Sequence, residues 1–399
     1  MSDAFIVDAV RSPFGKGRQG GVLTNLHPID LFAQVLQGLI RRTDIDPALV
    51  EDLIAGCVIQ FGQQSSNVAR QAWLAAGFPA TTPGVTLDRK CGSTQQAMDF
   101  AAQGVIAGAY DLVIAGGVEM MGRVTMGSNR QGHDYRGPMF DRRYPDGMVH
   151  QGISAELIAE HWNISRAEMD NYAFNSHRRA AVAEQRGDFA RQIAAVEVST
   201  ESGATRRVDR DEGIRPDTSI EKLASLKPAF QNAAMATRFP QIRWSVTAGN
   251  SSQVTDGATA MLIASEKMVK RFNLKPRAQV RHFAVIGDDP VMMLSGVIPA
   301  TRKVLARAGL KMDDIDAFEV NEAFASVVLA WAKELNADMQ RVNSNGGAIA
   351  LGHPVGASGG RLTCALLDAL EQRNGQYGLQ TMCESGGMAN ATIIERVGA

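Results

Sequence analysis

Two distant stretches of the chain carry the same order of apolar and polar positions. In LFAQVLQGLIRRTDIDPALVEDLIAG, residues 31–56, apolar residues recur every three or four positions, an acidic turn ends near Asp46, and a short apolar run begins at Leu53. GVIPATRKVLARAGLKMDDIDAFEVN, residues 296–321, repeats that order with its turn near Asp313 and its run from Phe318. Helical spacing predicts an amphipathic helix in each, and the short runs predict strands. Each half then adds a strand, a glycine-containing turn and a helix: VTLDRKCGSTQQAMDFAAQGV at 85–105, and RVNSNGGAIALGHPVGASGGRLTCALLDAL at 341–370. The same unit occurring twice predicts an internal duplication in an α/β protein.

Between the halves, from about Gly122 to Ser245, the texture changes. GRVTMGSNRQGHDYRGPMFDRRYPDGMVHQG is rich in Gly, Arg, Met and turn formers; a helical run over 154–189 and the basic segment TRRVDRDEGIRP follow. This reads as an insertion emerging from the first half. Long loops on a rigid scaffold are commonly functional, although a solvated basic surface also accounts for most of the individual arginines.

Composition narrows the function classes. A chain of 399 residues predicts two or three domains or subdomains, and 45% hydrophobic, 21% charged and 6% aromatic residues with 39 glycines describe an ordinary globular α/β protein. A net charge of -1 carries no nucleic-acid or membrane signal. The N-terminal MSDAFIVDAVRSPFGKG has Asp3 and Asp8 within its apolar run, so it reads as a first strand and not as a signal peptide. No apolar stretch approaches the roughly 20 residues of a spanning helix, and a cytoplasmic location is expected. The four cysteines, Cys57, Cys91, Cys364 and Cys383, are widely spaced with no C-x-x-C pair, which argues against a disulfide framework or a zinc site.

Four stretches hold candidate chemistry. Cys91 lies where an extended segment turns into a helix; unpaired N–H groups and the helix dipole favour a thiolate there, while a small apolar side chain filling a tight turn is the alternative. His353, in NGGAIALGHPVGASGG, occupies the matching place in the second half among six glycines that permit close backbone approach. A pseudo-twofold fold brings both helix N-termini to one crevice, pairing a nucleophile with a base. Cys383 stands between a strand and SGG. Asn321, ending an apolar strand in VNEAFA, either caps the next helix or holds a catalytic water.

Together these stretches resemble the thiolase family: C-G-S at Cys91, N-E-A-F at Asn321, G-H-P-x-G-A-S-G at His353 and C-x-x-G-G at Cys383, in the family's order and spacing. GGVEMM at 116–121 and SVTAGNSSQVTDGATAMLI at 245–263 extend the resemblance over essentially the whole chain. It implies a duplicated five-layer α-β-α-β-α architecture with two five-stranded sheets. The N-terminal half then comprises 1–121 plus 246–274, an inserted loop domain covering coenzyme A occupies 122–245, and the C-terminal half is 275–399.

The implied reaction is reversible thiolysis of a 3-ketoacyl-CoA by CoA. By resemblance Cys91 is acylated, His353 activates it, Cys383 exchanges a proton with the α-carbon, and Asn321 holds a water that with His353 stabilises the enolate oxygen. Backbone N–H groups of Cys91 and Ser385 form a second oxyanion hole. Ser385 departs from the usual C-x-G-G-G pattern, and a φ > 0 there costs serine about 1 kcal/mol or more. Arg215 matches a contact to the CoA 3′-phosphate, Ala248 and Ser252 match pantetheine contacts, and His150 and Phe324 line the acyl end. Gln151 stands where methionine is usual, and MLSGVIP at 293–299 replaces M-G-T-G-P, which together imply a reshaped acyl pocket. A homodimer or homotetramer is implied, with no metal or organic cofactor, CoA being a substrate.

A biosynthetic acetyl-CoA acetyltransferase making acetoacetyl-CoA is the alternative direction. A decarboxylating ketosynthase has no need of Cys383, and a non-catalytic acyl-CoA carrier is expected to have lost Cys91, His353 or Cys383.

Overall fold

A computed structural model describes residues 3–200 and 203–398. The first half forms β1 (Ala4–Arg11), α1 (Pro28–Thr43), β2 (Asp52–Gly56), α2 (Val68–Ala75), β3 (Gly84–Leu87), α3 (Ser93–Ala107), β4 (Leu112–Met120) and, after the insertion, β5 (Thr255–Ser265). Its sheet runs β1-β5-β4-β2-β3, with β2 parallel to β3 and β4, and β5 antiparallel to β4 and β1. The insertion supplies α4 (Gln151–His161) and α5 (Arg166–Arg186). The second half follows with β6 (Ala278–Gly287), α6 (Val297–Ala308), β7 (Ala317–Val320), α7 (Ala325–Leu335), α8 (Ser358–Arg373), β8 (Tyr377–Glu384) and β9 (Met388–Arg396). Its sheet runs β6-β9-β8-β7, the counterpart of β1-β5-β4-β2. A short antiparallel pairing of Phe5 and Ile6 with Gln279 and Ala278 joins the two sheets edge to edge.

Strand periodicity explains the layers. On β4, Leu112 and Ile114 face α1 and α2, whose Leu31, Phe32, Leu36 and Trp73 complete one core, while Val113 and Ala115 face the opposite way. The second core holds α3 and α8 between the sheets: Ala97, Met98, Ala101, Leu366 and Leu370 meet Met261 and Ile263 of one sheet and Ala278, Ala317 and Ile394 of the other. Beyond the second sheet, Val297, Val304, Val328 and Trp331 of α6 and α7 cover Phe318, Val320, Leu379 and Ile393. Helix, sheet, helix, sheet, helix is the five-layer order expected. Both sheets are covered on both faces, which is why their strands read as nearly continuous apolar runs.

Two details depart from expectation. The fifth position of the second sheet is a single parallel bridge, Phe318 to Val342, rather than a strand. The next residue, Asn343, turns with φ 47°. Its side chain takes over the ladder, with Oδ1 accepting from Val320 N and Nδ2 donating to Val320 O, both at 2.9 Å. An amide side chain has the donor and acceptor of a backbone unit, so it closes the edge of β7. The helical run over 154–189 breaks into α4 and α5 at Asn163, φ 48°, and restarts at Ser165, whose capping box with Glu168 satisfies the new N-terminus.

The inserted segment touches both halves. Its hairpin, Val196–Ser199 with Thr205–Val208, packs on the α1 side of the first core, while α4 joins the core of the second half.

Candidate active site

The two internal helices meet at their N-termini. A Cβ on Gly359, in α8, would collide with the backbone N of Gln95 in α3, and one on Gly117 with Gly356 O and Thr94 Oγ1. Thr94 Oγ1 donates to Gly356 O, tying the two starts together. These glycines are required by close approach.

Cys91 ends the turn that enters α3. Asp88 Oδ1 accepts from Lys90 N at 2.7 Å; Ser93 Oγ accepts from Arg89 N at 2.9 Å and donates to Lys90 O at 2.6 Å. Lys90 sits at φ 50° and Gly92 is the helix N-cap, so Cys91 is placed by a turn bonded on both sides of it. The helix N-terminus does not make it a ready thiolate: burial pushes the thiol well above its ordinary range, Cys383 and Glu384 push further, and Cys91's own backbone N–H opposes them less strongly. All four cysteines are buried and free.

His353 follows Gly352, φ 104°, and its backbone N–H is shared by Gln253 O and Thr255 Oγ1, each at 3.1 Å. Its Nδ1 lies 2.5 Å from Ser358 Oγ, which donates to Pro354 O at 2.8 Å. With the single hydroxyl proton given to Pro354, Ser358 accepts from Nδ1–H, and the lone pair of the imidazole is on Nε2. Asn321 Nδ2 lies 3.4 Å from that Nε2. Burial, then the charge of Arg361, pushes His353 down to about 3, so the ring is an uncharged base. Cys383 is pushed up to about 12 by burial, with a hydrogen bond from the Asn321 side chain acting the other way. Asn321 thus links His353 to Cys383, and its Oδ1 is buried with no partner among the described residues.

Glu322, beside Asn321, was not singled out by its sequence context. Its carboxylate accepts from Tyr172 Oη and Ser176 Oγ at 2.8 Å, Ile349 N at 3.0 Å and Asn343 Nδ2 at 3.2 Å. It therefore fixes Asn321 against α5 and the Gly346–Gly347 turn. Gln253 is a second such clasp: its Nε2 donates to Gly213 O, Ile349 O and Ala350 O. Sequence could have hinted only at Glu322, a charged residue between an apolar strand and an apolar helix.

The remaining expected residues spread outward from this centre. His150 stacks on Phe230, with centroids 5.2 Å apart, and Phe230 meets Phe324 edge-on at 5.9 Å. Gln151 is half-buried in the first turn of α4, where Ser154 Oγ donates to Met292 O at 2.6 Å. The two places that depart from the family pattern are therefore neighbours. Ser252 N donates to Ala323 O at 3.0 Å, bringing Ser252 beside Asn321 and Phe324, while Ala248 lies exposed next to Gly249, which is packed under Leu223 and Leu226. Arg215 is exposed, with its N–H donating to His177 Nδ1 at 3.2 Å. Ser385 is free of strain, because the left-handed positions of the β8–β9 turn fall on Gly386, φ 93°, and Gly387, φ 75°.

Comparison with known proteins agrees over the full length. The family model "Thiolase, N-terminal domain" matches residues 4–267 and "Thiolase, C-terminal domain" matches residues 274–396. The chain is 48% identical over 405 residues to a steroid 3-ketoacyl-CoA thiolase of Mycobacterium tuberculosis, covering 100% of this chain and 95% of that relative. It is 43% identical over 401 residues to a 3-ketoacyl-CoA thiolase of Pseudoalteromonas translucida, covering 100% of both. Among solved structures, the Bacillus anthracis acetyl-CoA acetyltransferase superposes with a TM-score of 0.88 at 36% identity, covering 100% of this chain and 99% of that one. Human mitochondrial 3-ketoacyl-CoA thiolase superposes at 0.87 with 35% identity, covering 99% of both. A duplicated five-layer fold, with thiolase family models matching residues 4–267 and 274–396, places this chain in the thiolase family.

Proposed function

We propose that this protein cleaves a 3-ketoacyl-CoA with CoA, reversibly, through an acyl group carried on Cys91. The observation that carries this reading is the chain from His353 Nδ1 through Ser358 Oγ to Pro354 O, which favours the tautomer whose lone pair is on Nε2, the nitrogen beside Asn321. Cys91 is a neutral thiol at rest, so the transfer begins when His353 takes its proton and the sulfur attacks the carbonyl carbon. The departing carbon is an enolate of acetyl-CoA, stabilised by His353 and a water on Asn321, and Cys383 returns its proton. CoA thiol, giving its proton to the Cys383 thiolate, then takes the acyl group from Cys91, whose sulfur recovers its proton from His353. The N–H groups of Cys91 and Ser385 stabilise the tetrahedral oxyanion. Incubation with acetoacetyl-CoA in the absence of CoA is expected to add one acetyl group to the Cys91 peptide by mass spectrometry; an adduct confined to another residue refutes the assignment.

Residues 122–245 cover the CoA in this reading. Arg215, exposed on the return of that segment, meets the 3′-phosphate; Ala248 and Ser252 meet the pantetheine; His150 and Phe324 line the acyl end. Strand β3 is an open edge with Val85 exposed, which supports pairing with a second copy in a homodimer or homotetramer. No helix of the described residues is long and apolar enough to cross a membrane, in keeping with a cytoplasmic enzyme.

The acyl group is larger than four carbons. Methionine beside the acyl end closes a short apolar pocket, whereas Gln151 brings an amide that costs roughly 1–3 kcal/mol to bury without partners. The neighbouring 292–299 segment has also changed, and the 48% identical relative is a steroid 3-ketoacyl-CoA thiolase. We expect kcat/KM for a bulky 3-ketoacyl-CoA at least equal to that for acetoacetyl-CoA, and a shift toward acetoacetyl-CoA in Gln151→Met. Activity confined to acetoacetyl-CoA restores the biosynthetic reading.

A further inference from the structure

Glu384 ends β8 immediately after Cys383, and the mechanism above gives it no task. Successive residues of a strand face opposite ways, so it lies on the other side of the sheet from the Cys383 thiol, beneath the start of α3. Its side chain is fully buried, and neither carboxyl oxygen has a hydrogen-bond partner among the described residues. Contact with the nucleophile's helix is direct: a Cβ on Gly92, the N-cap, would collide with Glu384 Oε1 and lie 2.8 Å from Asn390 Nδ2, which donates to Gly92 O at 3.1 Å. A buried carboxyl without partners is costly, and natural chains keep such groups mainly where they serve chemistry.

The charges around it come from every neighbouring element. The entry turn brings Asp88, Arg89 and Cys91, α3 brings Asp99, and β8 brings Cys383. Burial holds the carboxyl up to about 8; the cation Arg89 favours the ionised form, and Asp99 and Asp88 oppose it. Asp99, also buried, is likewise held up to about 8, with Oδ1 accepting from Thr392 Oγ1 at 2.8 Å. Near neutral pH the space under Cys91 therefore holds uncharged acids.

We propose that Glu384 is a positioning residue for the nucleophile: uncharged, it fills the space against the N-cap of α3 and leaves the negative charge forming on Cys91 unopposed; ionised, it suppresses that charge. The inference rests on Cys91 being the nucleophile. As pH rises through about 8, the carboxyl ionises and pushes both thiols higher, so Cys91 reactivity levels off where an isolated thiol would gain.

The test is the rate of iodoacetamide modification of the Cys91 peptide across neutral and alkaline pH, read by mass spectrometry. Glu384→Gln keeps the shape without the charge. Its rate is expected to match wild type near neutral pH and to exceed it severalfold above pH ~9, since an ionised carboxylate there raises the thiol and depletes its thiolate. Glu384→Asp, which keeps a carboxyl, retains the wild-type plateau; a purely packing role would not separate these two variants by pH. Should Glu384→Gln fail to fold, Glu384→Met, unbranched and uncharged, carries the same expectation. Coincident profiles for wild type and the uncharged variant overturn the proposal while leaving Cys91 as nucleophile. Preferential modification of a different cysteine overturns both.

Discussion

Cys383→Ser is expected to abolish exchange of the α-hydrogens of acetyl-CoA with solvent and to slow cleavage by about 10²–10⁴-fold, the usual contribution of a positioned general acid or base. Acylation of Cys91 by acetyl-CoA should survive, because that step uses Cys91, His353 and the backbone N–H groups of Cys91 and Ser385, not the Cys383 thiol. The environment of Cys383 explains the division. Burial holds its thiol up to about 12, and the link to Asn321 favours the thiolate. A thiolate of such high basicity is better matched to a carbon acid than an ordinary cysteine is, whereas a serine hydroxyl in the same place stays un-ionised. Deuterium incorporation into acetyl-CoA followed by NMR, alongside mass measurement of the Cys91 peptide, separates the two steps. Full exchange in the serine variant shows that another group handles the proton.

The residues of this centre differ in how far the sequence reveals them. Cys91 and His353 stand at matching points of a repeated strand-turn-helix unit, and the glycines beside them mark places where backbones crowd, so both positions and the meeting of their two helix starts are legible. What burial does to them is not. The start of α3 argues for a thiolate at Cys91, yet desolvation outweighs it, and desolvation depends on how two sheets and an insertion close over the site. Glu322 is hidden for a related reason: Tyr172 and Ser176 come from a helix of the insertion, Asn343 and Ile349 from the turn before His353, and a sequence does not display bonds across such distances. The single-bridge edge of the second sheet escapes notice because Asn343 replaces a ladder by its side chain. Ser385 shows the converse. A family pattern of three glycines does not say which of them needs φ > 0, and here Gly386 and Gly387 do.

His353→Asn is expected to slow acylation of Cys91 by about 10²–10⁴-fold, and wild-type acylation should show no acid limb near pH 6.5. Burial and Arg361 bring the imidazole from its ordinary 6.5 down to about 3, so its basic form is complete throughout the mildly acidic range. Protein stability follows the opposite course. Unfolded, the ring takes a proton below 6.5; folded, it does not until about 3, so the unfolded chain binds more protons in between and stability falls as pH drops through that window. Acid therefore weakens the fold before it protonates the base. Single-turnover acylation, normalised to the fraction folded by circular dichroism, should stay flat from neutral pH downward until the chain unfolds. A limb near 6.5 in fully folded wild type would mean that His353 titrates as an exposed histidine, and the tautomer fixed by Ser358 would no longer account for its role as base.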